Sequence, residues 1–507
     1  MSTIGSCATR LLEALVSRAD HPVMEFAGRS YTFGELDALS RAYADRLRRL
    51  GVGAGDRVAV LAPACPESIA VLVGHLRSGV IHVPINTRYR VEETRHILED
   101  SGACAVVSES GGEGAATLED IRTGSPPPSV EHWLDIGPAA AAAPGPVPSA
   151  GPSGLQDEDV AALIYTSGTT GKSKGVALSY RALVASTLSM TGVWRTTPDD
   201  RLVLALPLFH VHGLCLGVLG TLLHGSTMLL ESRFAAPRVV EAFERDGATV
   251  FMGVPTMYVR LLEHIKAHPE AAAALAKARV FISGSAPLPG SDFALFREKT
   301  GHAILERYGM TETLFTLSNP YAGERRPGTV GLPAPGCAAR IVDEGGRDLP
   351  DGELGELFVQ SNGMMNGYWR RDAETAASLC DGWFATGDMA RRDSDGYFMI
   401  AGRKSLDFVK SGGFKISTRE IEDVLRRHPR IQDVAVVGAP DPVWGERIVA
   451  AVVLDPASGL APSSETLLAE LSSFCVGSLA DYKHPREVRI LEELPRNALG
   501  KVQKHRI

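Results

Sequence analysis

No two cysteines stand close enough in the sequence to form a metal-binding or dithiol pair. The seven cysteines, Cys7, Cys65, Cys104, Cys215, Cys337, Cys380 and Cys475, are scattered, with no CxxC and no His/Cys cluster. That excludes zinc-ribbon and thioredoxin-like chemistry and fits a reducing compartment, each thiol being a small core residue. Apolar runs of spanning length are also missing, so no membrane segment is expected. The N-terminal stretch has no basic segment leading into an unbroken apolar core, because Arg10, Glu13, Arg18 and Asp20 interrupt it, and no leader is expected. Positive charge is not in excess: 52 basic residues face 60 acids, a formal net charge of −8, which argues against a general nucleic-acid binder. These absences point to a cytoplasmic protein with no nucleic-acid and no membrane partner. No internal repeat is visible.

What the sequence does have is length and rhythm. A chain of 507 residues exceeds one ordinary core, so at least two domains are expected. Thr32 and Glu35 make a capping box ahead of a helix from about residue 34 to residue 50. Strands at 57–61, 80–84 and 103–108 alternate with helices at 67–77 and 91–101. The same alternation returns from 160 to 308, with strands at 160–164, 201–205, 227–230, 248–251, 280–283 and 303–308, which implies mostly parallel sheets covered by helices. Residues 211–223 read as an apolar helix, and another helix starts near Pro255. The Ala/Pro/Gly/Ser stretch 137–154 reads as a surface loop. Past Gly328, short strands at 338–342, 355–360, 383–386 and 397–400 separated by Gly/Pro turns suggest a small barrel-like subdomain. Beyond it, helices at 420–428 and 465–479 and strands at 431–438, 448–454 and 486–491 make a domain-sized α+β unit. The expected fold is α/β: a large N-terminal domain, 1–403, followed by a small α+β C-terminal domain, 404–507.

The chemistry centres on Tyr165-Thr166-Ser167-Gly168-Thr169-Thr170-Gly171-Lys172-Ser173-Lys174-Gly175. Directly behind a short apolar strand, this segment reads as a loop rich in glycine, hydroxyl and lysine. Its backbone N–H groups can form an anion-binding nest, and its side chains add donors and positive charge. A polyphosphate is the ligand such a loop suits. A Walker-type loop is excluded, because counting back from Gly171-Lys172-Ser173 puts Thr166 where the first glycine belongs. A Gly/Ser/Thr stretch of this length is also what a solvated turn looks like, and composition alone leaves both readings open.

The whole string resembles the phosphate-loop signature of the adenylate-forming superfamily, which comprises acyl-CoA synthetases, adenylation domains and luciferases. Five further segments match that family in order: Tyr308-Gly-Met-Thr-Glu-Thr313, Gly382-Trp-Phe-Ala-Thr-Gly-Asp388, Gly402-Arg403, Ser411-Gly-Gly-Phe-Lys-Ile416 and Pro495-Arg-Asn-Ala-Leu-Gly-Lys501. The resemblance implies an ATP-dependent ligase that joins a carboxylic acid to AMP with loss of pyrophosphate and then passes the acyl group to coenzyme A. ATP, Mg²⁺ and coenzyme A would be its cofactors and co-substrates.

Carried over residue by residue, the resemblance makes Thr166, Ser167, Gly168, Thr169, Thr170, Gly171 and Lys174 the phosphate loop. Ser285, Ala286, Pro287, Tyr308 and Gly309 become the adenine wall, and Thr311 a phosphate contact. Glu312 becomes the Mg²⁺ ligand, Asp388 the ribose contact and Arg403 a second ribose or phosphate contact. Lys501 would stabilise the charge that gathers at the carboxylate and α-phosphate. Gly412 and Gly413 would approach the pantetheine arm. The C-terminal domain would rotate between the two steps about a pivot among 405–407, in a segment one residue longer than the family's commonest form. On residue type alone, Glu312 and Lys501 read as solvated, Arg260 as an exposed helical arginine, and Asp388 as a turn cap.

His210, Arg260, Ser283 and Met310 are the expected acyl-pocket residues, His210 with a catalytic part. An unpaired guanidinium would be costly in a fatty-acid pocket, whereas a second carboxylate on the substrate would satisfy it bidentately. Leu206–Leu214, Gly253–Arg260 and Glu306–Leu314 resemble malonyl-CoA synthetases, so malonate or a 2-substituted malonate is the expected acid. A short- or medium-chain fatty or aryl acid, or loading of an external acyl carrier protein, is the alternative. A catalytically dead scaffold is disfavoured by the joint presence of Lys174, Glu312, Asp388, Arg403 and Lys501.

Overall fold

A computed structural model describes residues 6–137, 154–166, 172–404, 407–411, 414–476, 478–479, 481–497 and 500–507. The chain divides into two compact units. The first comprises Met1–Pro327, Leu332–Ala338 and Val359–Phe384, and the second Gly328–Gly331, Ala339–Phe358 and Ala385–Ile507.

The first unit carries two sheets whose inner strands are parallel. In the seven-stranded sheet, Val160–Thr166 lies between Lys174–Ser179 and Ile81–Pro84, followed by Arg57–Leu61, Ala105–Ser108 and His132–Asp135. The nine-stranded sheet runs from Leu332–Pro333 through Leu314–Ser318, Leu305–Met310, Val280–Ser283, Val250–Gly253, Arg201–Leu204 and Thr227–Leu230 to the Pro22–Phe26/Arg29–Thr32 hairpin. Central strands such as Val280–Ser283 are buried at every position, as Val/Ile/Leu-rich strands between two helical layers must be. The second sheet's core is aromatic: Phe251, Tyr258, Phe281 and Phe296 are fully buried and meet edge-on, each worth roughly 1.5–3 kcal/mol or more in burial alone. The capping box at Thr32 is formed, with Glu35 N donating to Thr32 Oγ1 at 3.1 Å and Thr32 N donating to Glu35 Oε2 at 2.8 Å.

Several elements differ from the sequence reading. Lys174–Ser179 is a strand, paired antiparallel with Val160–Thr166, so the phosphate-loop candidate connects two paired strands, with Thr166 opposite Lys174 in the ladder. The helix Ala115–Gly124 and the strand His132–Asp135 were not anticipated. The expected apolar helix 211–223 is a π-helix, His212–Leu219, continued by the α-helix Gly220–His224. The expected surface loop lies, for 138–153, outside the described residues.

In the second unit, Trp383–Arg392 pairs antiparallel with Phe398–Arg403. A five-stranded sheet is built on the long hairpin Ile431–Asp441/Gly445–Leu454, with Phe408–Ser411, Phe414–Ser417 and Glu487–Ile490 beside it. The helices Thr418–Leu425 and Ser464–Cys475 cover its apolar face. Among the described residues, no helix is long and apolar enough to cross a membrane.

Candidate active site

The hairpin that presents the loop is pinned at its base. The Tyr165 hydroxyl donates to Asp100 Oδ2 at 2.8 Å, and His96 Nε2 lies 2.8 Å from the Ser173 carbonyl. Ser167, Gly168, Thr169, Thr170 and Gly171 lie outside the described residues. Lys174 extends from the strand end to an ion pair with Glu374 and sits over the Tyr368 ring at 5.3 Å. Tyr368 belongs to a two-residue strand, Gly367–Tyr368, paired with Val176 and Ala177, which carries its hydroxyl to within 3.1 Å of Glu312 Oε1. Burial first, and then the neighbouring Glu312 charge, push the Tyr368 phenol well above its usual range, so it stays a donor. Lys174 and Glu312, 138 residues apart in sequence by subtraction of their numbers, thus meet through one ring. Tyr368 and Glu374 were missed, because a Gly-Tyr dipeptide and a helical glutamate carry no distinguishing signal in sequence.

Glu312 itself is 7% exposed, in the turn between Leu305–Met310 and Leu314–Ser318. That turn requires Gly309. The strand pair shifts register between Tyr308 and Gly309, and a Cβ on Gly309 would lie 2.1 Å from the Leu314 carbonyl oxygen. Thr311 and Met310 flank the turn half-buried. Among the described residues, no cluster of three or more His, Cys, Asp or Glu could hold a metal. A single carboxylate fits Mg²⁺, which keeps waters and phosphate oxygens as its other ligands, and does not fit an all-protein cage.

Ser283-Gly284-Ser285-Ala286-Pro287 leaves the strand Val280–Ser283 with Ser285 at a positive φ of 70°, a strained conformation for a non-glycine residue. Ser285 Oγ lies 3.3 Å from His212 Nδ1. Ser283 Oγ and His212 Nε2 are buried without a hydrogen-bond partner among the described residues. His210, its ring tilted against that of Phe209 with centroids 4.6 Å apart, is pushed down to about 4 by burial and is neutral at physiological pH.

Arg260, expected as a buried cation, is exposed on the helix Pro255–Ala267. The buried guanidinium here is Arg307, 4% exposed, on the strand Leu305–Met310. Its Nε and Nη2 have no hydrogen-bond partner among the described residues, Phe315 lies 4.9 Å beneath it, and burial pushes it down to about 9. Gly284 makes room for it, since a Cβ there would lie 2.5 Å from Arg307 Nε. Arg307 went unnoticed beside the neighbouring motif, although two successive charges, Glu306 and Arg307, inside a buried strand were a readable signal.

In the second unit, Asp388 lies within the strand Trp383–Arg392 rather than at a strand end, because pairing with Phe398–Arg403 carries the strand past the Thr-Gly-Asp turn signal. It faces Arg403 in the ladder, with Arg403 Nε 3.0 Å from Asp388 Oδ1, while Arg403 Nη1 donates to the Thr386 carbonyl at 2.6 Å. Lys501 is solvent-exposed, yet its pKa is lowered, first by desolvation and then by Arg403, against the opposing pull of Asp388 and Asp407. The lysine therefore feels the same two side chains that hold each other. Gly412 and Gly413 lie outside the described residues.

A hydroxyl-rich segment between two paired strands, a buried carboxylate that shares a tyrosine ring with a lysine, and a glycine-lined wall are the parts an adenylating site needs. The model of the AMP-binding enzyme family matches residues 12–369, and that of its C-terminal domain matches residues 420–501. The chain belongs to the AMP-binding enzyme family. A feruloyl-CoA synthase of Amycolatopsis sp is 36% identical over 481 residues, covering 94% of this chain and 93% of that protein. A mitochondrial malonate–CoA ligase of Mus musculus is 36% identical over 519 residues, covering 94% and 86%. The crystal structure of ATP-bound MatB from Rhodopseudomonas palustris superposes with a TM-score of 0.87 at 36% identity, covering 98% of this chain and 97% of that one. Like these AMP-binding enzymes, the chain is an AMP-forming acyl-CoA synthetase with ATP and coenzyme A as substrates.

Proposed function

We propose that the acid activated is malonate or a 2-substituted malonate. One observation carries this: a buried guanidinium, Arg307, has two donors, Nε and Nη2, without a hydrogen-bond partner among the described residues, and its charge acts on His212, whose Nε2 has none among them either. An unpaired buried charge destabilises a fold unless a ligand completes it, and the distal carboxylate of a dicarboxylic acid does so with charge-assisted hydrogen bonds. The malonate–CoA ligase relative supports the reading. An aryl or fatty acid is the second reading, favoured by the equal identity to a feruloyl-CoA synthase.

In this reading the triphosphate seats against Thr166–Lys174, Ser285, Ala286, Pro287, Tyr308 and Gly309 wall the adenine, and Thr311 contacts phosphate. Asp388 accepts from the ribose hydroxyls with Arg403 beside it. Glu312 holds Mg²⁺, which supplies charge neutralisation at the phosphates, while Tyr368 fixes the carboxylate by donating to Oε1. His210, neutral, joins Ser283 and Met310 around the acyl group. Lys501 donates to the carboxylate and α-phosphate as charge collects there. The mixed anhydride replaces a poor leaving group by AMP, and a thiol then attacks it. Gly412 and Gly413 line the thiol's path, and residues 404–507 turn as a body about 405–407 between the steps. Seven cysteines without a disulfide among the described residues are in keeping with a cytoplasmic setting.

Acid-dependent ATP–pyrophosphate exchange with malonate, methylmalonate, acetate, butyrate and benzoate tests the substrate. Malonate or methylmalonate is expected to dominate, and dominance of butyrate or benzoate overturns the reading. Coenzyme A assayed against a phosphopantetheinylated carrier protein tests the acceptor, with coenzyme A expected.

A further inference from the structure

We propose that Lys504 is a positioning residue for Lys501, clamping the C-terminal tail onto two buried carboxylates. The inference rests on the reading of Lys501 as the adenylating lysine. The Lys504 ammonium lies 2.6 Å from Asp407 Oδ1, 2.7 Å from Glu422 Oε1 and 2.7 Å from Thr418 Oγ1, so its three N–H donors meet three acceptors. Asp407 and Glu422 are 6% and 8% exposed. Asp407 also accepts from Arg403 N at 2.8 Å and faces Arg419 at 3.9 Å, and Glu422 accepts from Val436 N at 2.7 Å. A half-buried lysine held by three such acceptors has one place to sit, whereas Lys501, three positions earlier, is exposed.

Around them the tail pairs back on residues 495–497. Arg496 and Val502 form an isolated bridge, Lys501 N donates to Asn497 Oδ1 at 2.9 Å, and Gln503 N donates to the Pro495 carbonyl at 2.7 Å. Val502 and Ile507 pack on Ala435, Ala451 and Leu494. Apolar packing sets how deep the turn lies but tolerates sliding, because dispersion has little direction. The three-point grip on Lys504 supplies the direction. It also sets the register against the nucleotide-binding candidates, since Asp407 N donates back to the Arg403 carbonyl at 2.9 Å and Arg403 holds Asp388. Lys504, Asp407, Arg403 and Asp388 form one continuous path from the tail to the ribose-binding carboxylate.

The test measures both half-reactions in Lys504→Met, Lys504→Arg, Lys504→Met/Glu422→Gln and Lys501→Ala, with thermal unfolding alongside. The double variant removes one charge of each sign and so preserves the buried balance where Lys504→Met alone fails to fold. Misplacing a catalytic group by about 1 Å can cost on the order of 100-fold, so exchange kcat in Lys504→Met and in the double variant is expected to fall at least about tenfold. KM for ATP and the rate of thioester formation from supplied acyl-adenylate should stay within about twofold, because that step does not use Lys501, and Lys504→Arg should recover part of the exchange. Normal exchange in a folded double variant overturns the proposal. So does a parallel fall in both half-reactions that follows the loss of thermal stability. Full exchange in Lys501→Ala overturns the reading of Lys501, and this proposal with it, whereas loss in Lys501→Ala without loss at Lys504 overturns this proposal alone.

Discussion

Replacing Arg307 by methionine should stabilise the ligand-free enzyme and disable it toward dicarboxylates. The guanidinium stays charged at neutral pH, so a pKa pushed from the ordinary arginine range down to about 9 by burial registers as a cost to the fold. At ~1.4 kcal/mol per pKa unit the full shift sets an upper bound of several kcal/mol. Mutational series for unsatisfied buried polar groups put the realised penalty nearer ~1–3 kcal/mol. The sign is set by linkage: the folded pKa lies below the unfolded one, so the cost is fully present below about pH 9 and is relieved only as pH rises beyond it toward the ordinary arginine range. Methionine keeps the apolar stem against Phe315 and removes the charge, so the unfolding midpoint should rise by an amount equivalent to ~1–3 kcal/mol. With substrate the sign reverses. Two charge-assisted hydrogen bonds lost at ~1.5–2 kcal/mol each predict a fall of about 10²–10³-fold in kcat/KM for malonate, with butyrate nearly unchanged. Exchange assays with the two acids, and thermal shift with malonate alone, read both effects, and Arg260→Ala ranks the exposed arginine against the buried one. A lower midpoint together with equal losses for malonate and butyrate would refute the reasoning, since it would make Arg307 a structural residue.

Lys501→Ala is expected to abolish acid-dependent exchange while sparing thioester formation from supplied adenylate, measured by product chromatography; equal losses would remove its role. Glu312→Gln keeps an oxygen for Tyr368 but loses the charge, so the Mg²⁺ concentration giving half-maximal exchange should rise at least about tenfold, the equivalent of ~1.4 kcal/mol, and an unchanged Mg²⁺ titration would count against it. The buried chain Tyr43–His75–His82, with contacts of 2.9 Å, holds both histidines neutral: burial pushes His82 down to about 3 and His75 well below 6.5. Their folded pKa values lie below the unfolded value, so the stability they carry is complete above pH 6.5 and drains away as pH falls below it, for His82 down to about 3. Each histidine contributes a loss of ~2 kcal/mol between pH 6.5 and 5. Urea unfolding at pH 7.5 and 5 should show it, with a smaller drop in His82→Gln, and equal drops in both proteins would be evidence against the account.

Local signals in the sequence were enough for most of the elements and for the reaction. The capping box at Thr32, the strands 57–61, 227–230 and 280–283, the helix from Pro255 and the six ordered segments all depend on residues within a few positions of one another, where periodicity, caps and turn chemistry act. Tertiary structure alone decided what depends on distant pairing. Lys174–Ser179 is a strand because Val160–Thr166 lies beside it, not because of its own composition. Tyr368 joins Lys174 to Glu312 because a two-residue strand docks on that hairpin. The same holds for the two arginines: whether a guanidinium is solvated on a helix, like Arg260, or sealed over Phe315, like Arg307, depends on what packs around it. Burial is a property of the assembled layers, and no window of sequence contains it.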